Sequence, residues 1–444
     1  MTTASPSAWP APRATAPLSA VVALPGSKSL TNRMLVLAAL STTPTRITAP
    51  LDARDTRLMA DALRALGVRI EIGDDREAEV WTVTPGELRG GRVDCGLAGT
   101  VMRFVPPVAG LAVGTSEFDG DPHARTRPMG TLIDGLRQAG LTIDDGGRAA
   151  LPFAVTGDGS VRGGRVELDA SASSQFVSAL LLAGARFDHG VEVQHVGATV
   201  PSLPHIQMSV ACLAAAGVVV DTSVPDRWVV PPGQIDLPDT VIEPDLSNAA
   251  PFLAAALVAG GSVTVPHWPT ATTQPGDLVR DLFGRFGAEV SLGSDGLTVT
   301  GPGLADLRPL HVDLHEASEL TPVIAAICAL SSGESRLSGV AHIRGHETDR
   351  LAALRAELVG VGAQVTETED GLVIRGGVGA LHGGLFHAYA DHRMAQAGAL
   401  IGLAVDGVAV DDIASTTKTL ADFPGLWSQL LAQPSTSTAP GHTA

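Results

Sequence analysis

The sequence predicts a mixed α/β (α+β) protein of two lobes, each built from three βαβαββ units. Two repeat patterns and one break in composition carry that prediction. Six segments share a plan of one or two small polar residues, an apolar helix, glycine and a short β-like run. Their anchors, Lys28, Thr100, Ser174, Asn248, Glu319 and His392, stand 71 to 74 residues apart. After each of the first five comes a second helix with apolar residues at i, i+3, i+4 and i+7, a glycine suited to a left-handed cap, then strand-like alternation. A helix that is apolar all round belongs inside, and an amphipathic one covers it. The break is the proline-rich stretch from Asp226 to Asp245, placed near mid-chain as a hinge between two halves would be.

In chain order, residues 1–14 are rich in Pro, Ser and Ala and read as a loose leader. Lobe 2 (25–241) carries three repeats. SKSLTNRMLVLAALS precedes DTRLMADALRALGVRIEI, which ends through Gly67; AGTVMRFVPPVAGLAVG precedes RPMGTLIDGLRQAGLTID, through Gly140; SSQFVSALLLAGA precedes SLPHIQMSVACLAAAGVVVD, through Gly217. Lobe 1 is discontinuous, 15–24 with 242–432. There DLSNAAPFLAAALVAGG is followed by PGDLVRDLFGRFGAEVSL through Gly287, and SELTPVIAAICALSSG by ETDRLAALRAELVGVGAQVT through Gly362. The sixth copy, DHRMAQAGALIGLAVDG, breaks off after Lys418, and 433–444 read as a flexible tail.

Composition excludes several function classes. With 4% aromatics and 50 glycines in 444 residues, the core is Ala, Val and Leu joined by tight turns. A net charge of -17 with no Lys/Arg run speaks against a nucleic-acid partner. No apolar run reaches the roughly 18 residues of a membrane span, and no apolar signal core follows a basic start. Cys95, Cys212 and Cys328 form no CxxC, which leaves neither a disulfide framework nor a thiolate zinc site. A cytoplasmic monomer is expected.

The apolar helices open on polar, often cationic residues: Lys28, Ser29 and Arg33; Thr100 and Arg103; Ser173, Ser174 and Gln175; His392 and Arg393. Helix N-termini offer free N–H groups and the positive end of the macrodipole, and so receive anions. A serine there is as readily an ordinary cap, but a cation opposes the dipole and calls for an anionic partner. Arg127, before Pro128, is another cation at a helix start. In GHETDRL, Glu347 and Arg350 stand three apart, as a surface ion pair or as part of a site. The 30 cations divide into 28 Arg and two Lys, Lys28 and Lys418, both in polar turns at repeat positions. A chain that otherwise uses Arg wants a compact, tunable ammonium at those two places. PGSKSLTNR is no nucleotide P-loop, since Val21 stands where the upstream glycine belongs and Ser27 separates Gly26 from Lys28. His342, His346 and Glu347 lack the HExxH order, so no metal is expected, and HVDLHE reads as solvated surface.

PGSKSLTNR, LAGTVMR, RTRPMG, SASSQF, GHETDRL, ADHRM and STTKT follow one another from Pro25 to Thr419. In that order they resemble the 5-enolpyruvylshikimate-3-phosphate synthase family (3-phosphoshikimate 1-carboxyvinyltransferases). The resemblance implies the inside-out α/β barrel of enolpyruvyl transferases, closing around phosphoenolpyruvate and shikimate 3-phosphate, with no metal or organic cofactor. It implies transfer of the enolpyruvyl group to the 5-hydroxyl with loss of phosphate, on the shikimate pathway to chorismate and aromatic amino acids. Lys28, Ser29 and Arg33 match the family's first substrate motif, with Lys28 also reaching phosphoenolpyruvate. Ser173, Ser174, Ser202 and His346 fall at shikimate 3-phosphate positions, and Gln175 lies between the substrates. Gly99, Arg127, Arg350, Arg393 and Lys418 resemble the set that grips phosphoenolpyruvate. Glu319 matches the carboxylate that takes the 5-hydroxyl proton, and Glu347 the acid that protonates the methylene.

The sequence departs from the familiar pattern at Leu97 (Asn is usual), His205 (Tyr), Glu319 (Asp), His342 (Asn) and His346 (Lys). Glu for Asp lengthens the base by one methylene, and His for Lys makes one substrate contact titrate near neutrality. The related UDP-N-acetylglucosamine enolpyruvyl transferases carry a reactive cysteine in the loop corresponding to DGDPHARTRPMG and a Lys-Asn pair in the first motif. Here that loop has no cysteine and Ser29 follows Lys28. A non-enzymatic anion-binding scaffold would leave both carboxylates and both lysines without a task.

Overall fold

The computed structural model describes residues 8–75 and 78–432. Its strands form six open sheets, shared equally between two compact units. One unit spans Pro25–Asp245 with Thr273–Pro275; the other takes the segments up to Leu24, Leu246–Thr272 and from Gly276 onward.

In the Pro25–Asp245 unit the second sheet shows the repeat most plainly. Arg92–Asp94 runs parallel to Val113–Asp119, with the helix Gly99–Gly110 crossing between them. The helix Gly130–Gln138 follows, and Thr142–Asp144 and Phe153–Asp158 complete the sheet antiparallel, which is βαβαββ. The first sheet repeats this with Thr45–Thr48, Arg69–Asp75 and Ala78–Thr84, but its parallel opening strand is Thr240–Val241, from the far end of the unit. The third has Gly164–Leu168, Val191–His195 and Arg227–Val230. Helices Lys28–Leu40, Gly99–Gly110 and Gln175–Gly184 lie in the core, with every residue from Leu30 to Leu40 buried. Helices Arg54–Ala65, Gly130–Gln138 and Pro204–Ala215 cover them and keep one exposed side. The apolar and the amphipathic sequence patterns thus sort by depth.

The other unit repeats the plan with buried helices Leu246–Ala259, Thr321–Leu330 and His392–Ala404. Its first sheet takes its parallel opening strand, Leu18–Val21, from the N-terminus, beside Gly261–Val265. His311–Asp313, Gly333–Ser338, Leu372–Gly376 and Gln364–Glu367 form the second sheet. In the third, Gly384–Phe386 and Val408–Val410 pair in parallel. Gly67 and Gly362, both at φ 103°, end their amphipathic helices in the conformation that favours glycine.

Three expectations change. Within the segment read as a loose leader, Trp9 and Pro10 pair with Val410 and Ala409, and Trp9 packs edge-on to Phe423, so the N-terminus completes the truncated sixth sheet. The proline-rich stretch read as a hinge contains two strands, Arg227–Val230 and Thr240–Val241, and the chain leaves the unit after Asp245. The β-like run after Gly217 makes a single bridge, Asp221 with Val229. The next ladder pair outward would set Val219 opposite Pro231, which has no N–H to donate. The tail 433–444 lies outside the described residues.

Candidate functional site

The expected site residues fall into two groups, one per unit. In the Pro25–Asp245 unit, Lys28 opens its helix, with its backbone N–H donating to Asp245 Oδ2 (3.0 Å) and its Nζ 3.5 Å from Asp55 Oδ2. Asp55 is buried, and its Oδ1 has no partner. Five residues on, Arg33 is 1% exposed and satisfied within the protein: Nε donates to Ser209 Oγ (2.8 Å), Nη1 to Ser29 O (2.9 Å) and Nη2 to His205 O (2.9 Å). Its guanidinium also lies 5.2 Å from the Phe104 ring centroid, and burial pulls its pKa down to about 10. Arg33 thus ties Ser29 to the helix Pro204–Ala215 with three of its five N–H groups.

Gly99 begins the next buried helix under two arginines. A Cβ there would stand 2.7 Å from Arg103 Nη1 and 3.0 Å from Arg127 Nη1, so the hydrogen side chain is what lets both guanidinia lie over the helix start. Arg127 Nε and Nη1 are buried and have no partner in the protein. Leaving such donors unmet costs about 1–3 kcal/mol each, which an incoming anion would recover. Gln175, at the start of the third buried helix, likewise has a buried Oε1 without a partner, and its N–H donates to Ser173 Oγ (3.3 Å). Ser174 is the residue before that helix, and Ser202, at φ 51°, lies in the turn leading to Pro204–Ala215. Leu97 packs in the core.

The second group is more tightly linked. Glu347 is in contact with two cations, Arg350 Nη2 at 3.0 Å and Lys418 Nζ at 2.5 Å, and all three side chains are buried or nearly so. The i,i+3 pair of GHETDRL is therefore an interior one. Arg350 also donates from Nε and Nη2 to Asp391 (2.7 and 3.1 Å) and from Nη1 to His346 Nδ1 (3.0 Å). Burial opposes its charge, but Asp391 and Glu347 outweigh burial and raise its pKa. Asp391 caps the helix that begins at His392, accepting from the Arg393 N–H (2.9 Å). Lys418 ends a 3-10 turn whose next residue, Thr419, is held by Asn248: Nδ2 donates to Thr419 O (3.1 Å), and Oδ1 accepts from Thr419 Oγ1 (3.2 Å). Glu319 is buried beside Ser247, whose hydroxyl donates to Oε1 (3.4 Å). His342 stacks edge-on between His315 and His346, with its Nε2 buried and unmatched. Burial, then His315, pulls the His342 pKa down to about 4. Among the described residues no three His, Cys, Asp or Glu side chains gather to hold a metal ion, and no helix is long and apolar enough to cross a membrane.

The sequence reading missed Asp55, Asp391 and Asn248, which meet Lys28, Arg350 and the Lys418 turn. Asp391 carried a signal, an aspartate just before a helix, and Asn248 carried another as a repeat anchor; Asp55, a partner distant in sequence, carried none.

A profile of the EPSP synthase (3-phosphoshikimate 1-carboxyvinyltransferase) family matches residues 12–427. A 3-phosphoshikimate 1-carboxyvinyltransferase of Kocuria rhizophila is 54% identical over 432 residues, 95% of this chain and 96% of that one. Among solved structures, an EPSP synthase of Acinetobacter baumannii superposes with a TM-score of 0.76 at 23% identity, covering 95% of this chain and 97% of that one. The enolpyruvyl transferase NikO of Streptomyces tendae does so with 0.73 at 20%, covering 94% and 96%. These two likenesses show the fold, a mixed α/β architecture shared with enolpyruvyl transferases, while the profile and the Kocuria relative show that the chain belongs to the EPSP synthase family.

Proposed function

We propose that this protein transfers the enolpyruvyl group of phosphoenolpyruvate to the 5-hydroxyl of shikimate 3-phosphate, releasing phosphate. The observation that carries the reading is the buried Glu347 held by Lys418 and Arg350, on a chain of this family. Addition needs a proton delivered to the methylene carbon of phosphoenolpyruvate and one removed from the attacking hydroxyl. Glu347 is the acid, positioned between Lys418 and Arg350. Glu319 is the base. As carbon is protonated, C2 becomes electron-poor and the 5-oxygen bonds to it. In the collapse of the tetrahedral intermediate the C2–O bond to phosphate breaks, the added methyl returns its proton to Glu347, and the proton held by Glu319 leaves with phosphate.

Cations match the charge of the reactants. Arg350, Arg393, Arg127, Lys28 and Lys418 hold the carboxylate and phosphate of phosphoenolpyruvate by charge-assisted bonds, at the uncrowded Gly99. The unmatched Nε and Nη1 of Arg127 support this, since buried donors call for an acceptor, while the unmatched Oε1 of Gln175 is an acceptor suited to a substrate hydroxyl. Ser29, Ser173, Ser174, Ser202 and His346 receive shikimate 3-phosphate. Arg33 joins them through its remaining N–H groups while holding the Ser29 carbonyl. No metal or organic cofactor enters this scheme, and the protein acts as a cytoplasmic monomer. Phosphate release from phosphoenolpyruvate is measured with shikimate 3-phosphate, with UDP-N-acetylglucosamine and with neither; release with the first alone is expected, and release without any acceptor sinks the reading.

A further inference from the structure

Helix Arg350–Gly360 is tied at two points to the loop before helix His392–Ala404, and only one tie belongs to the site above. At its start Arg350 holds Asp391. Two turns later on the same face, the buried carboxylate of Glu357 gathers three groups of that loop: the His387 backbone N–H (2.7 Å), His387 Nδ1 (3.2 Å) and the Tyr389 hydroxyl (2.6 Å). Between the ties, Tyr389 and Ala390 have φ of 55° and 54°, values that residues with side chains hold only where their surroundings impose them.

We propose that Glu357 is a positioning residue for phosphoenolpyruvate: by clamping His387 and Tyr389 it keeps the Tyr389–Ala390 backbone strained and so aims Asp391, Arg350 and Arg393 as one set. The inference rests on the assignment of Arg350 and Arg393 to phosphoenolpyruvate. Asp391 is the first residue after the strained pair, and it both receives Arg350 and caps the helix whose second residue is Arg393. A change of backbone at Ala390 therefore moves both arginines together. Burial, reinforced by Glu357, pushes the Tyr389 pKa up to about 12, so its hydroxyl stays a donor to the clamp at physiological pH.

The full-length chain is tested as Glu357→Gln, Tyr389→Phe, and each of these with Ala390→Gly. Glycine adopts positive φ without strain, so it restores the loop when the clamp is weakened, which a role limited to holding the helix would not allow. Glu357→Gln is expected to raise KM for phosphoenolpyruvate about tenfold, with KM for shikimate 3-phosphate moved less than about twofold. Ala390→Gly is expected to recover at least half of that loss, and Tyr389→Phe to give a smaller shift of the same kind. Equal effects on both KM values, or no rescue, overturn the proposal. Should Glu357→Gln not fold, the Tyr389→Phe pair makes the same comparison. Amide hydrogen exchange on the ligand-free protein reads the clamp without turnover: faster exchange at His387 and Asp391 in Glu357→Gln is expected, and unchanged exchange overturns it. A wild type that releases no phosphate with shikimate 3-phosphate overturns the functional reading instead, and exchange then decides the clamp alone.

Discussion

Arg350 and Asp391 face each other through two hydrogen bonds, 2.7 Å from Nε and 3.1 Å from Nη2, with 3% and 0% of their side chains exposed. Removing one partner of such a buried pair leaves an uncompensated charge, at a cost of about 3–5 kcal/mol. Asp391→Asn is therefore expected to lower unfolding stability by that order in denaturant titration and to weaken phosphoenolpyruvate binding. A loss under about 1 kcal/mol would mean that the other partners of Arg350 suffice.

Gly99 makes a sharper separation of binding from folding. Alanine at a helix start does not disfavour the helix, yet its Cβ would meet Arg103 Nη1 at 2.7 Å and Arg127 Nη1 at 3.0 Å. Gly99→Ala is expected to displace Arg127 and raise KM for phosphoenolpyruvate about tenfold with a normal melting temperature. Steady-state kinetics with each substrate varied in turn checks this.

Lys28 lies 3.5 Å from the buried Asp55. A guanidinium is planar and larger, and cannot deliver its charge to the point an ammonium reaches. Lys28→Arg is expected to lose most activity although the charge is kept, and near-normal turnover would refute the need for an ammonium.

His342 gives stability a pH dependence whose sign is fixed. Its folded pKa, about 4, lies below the ordinary value of 6.5, because burial and the neighbouring His315 and Arg350 outweigh Glu319. Between those values the unfolded chain binds a proton that the folded one refuses. Stability from this residue is complete above about pH 6.5 and falls as pH drops toward 4, by an amount of order 2–3 kcal/mol. Melting temperatures across that window should show a shallower slope in His342→Asn than in the wild type.

His346 accepts from Arg350 at Nδ1 (3.0 Å), a contact that exists only with a neutral ring carrying its proton on Nε2. Acidification puts an N–H against an N–H. Affinity for shikimate 3-phosphate is expected to change on acidification in the wild type and to flatten in His346→Lys. Identical profiles would remove His346 from the substrate contacts.

Much of this was legible because it is periodic or local. The helix starts at Lys28, Thr100 and His392 follow from apolar runs of fixed spacing, and the two lysines stood out against 28 arginines. Depth followed from helix pattern. Pairings across the chain were not legible: Asp55 with Lys28, Asp391 with Arg350 and Glu357 with Tyr389 join residues 27 to 41 positions apart, brought together by sheet geometry. Nor could spacing show that Arg33 spends its donors on Ser29, His205 and Ser209. The bridge at Asp221 fell short of a strand for a reason visible in the sequence, Pro231, but only once the pairing partner was known.

The exchange of opening strands has a consequence for biosynthesis. Leu18–Val21 leaves the ribosome early, yet its partner, Gly261–Val265, follows about 240 residues later. At roughly 5–20 residues per second that is a delay of about 10 to 50 seconds. Meanwhile the Pro25–Asp245 unit can close as soon as Thr240–Val241 emerges to meet Thr45–Thr48. The Pro25–Asp245 unit thus closes first, while Leu18–Val21 waits as an unpaired β-edge until Gly261–Val265 is made.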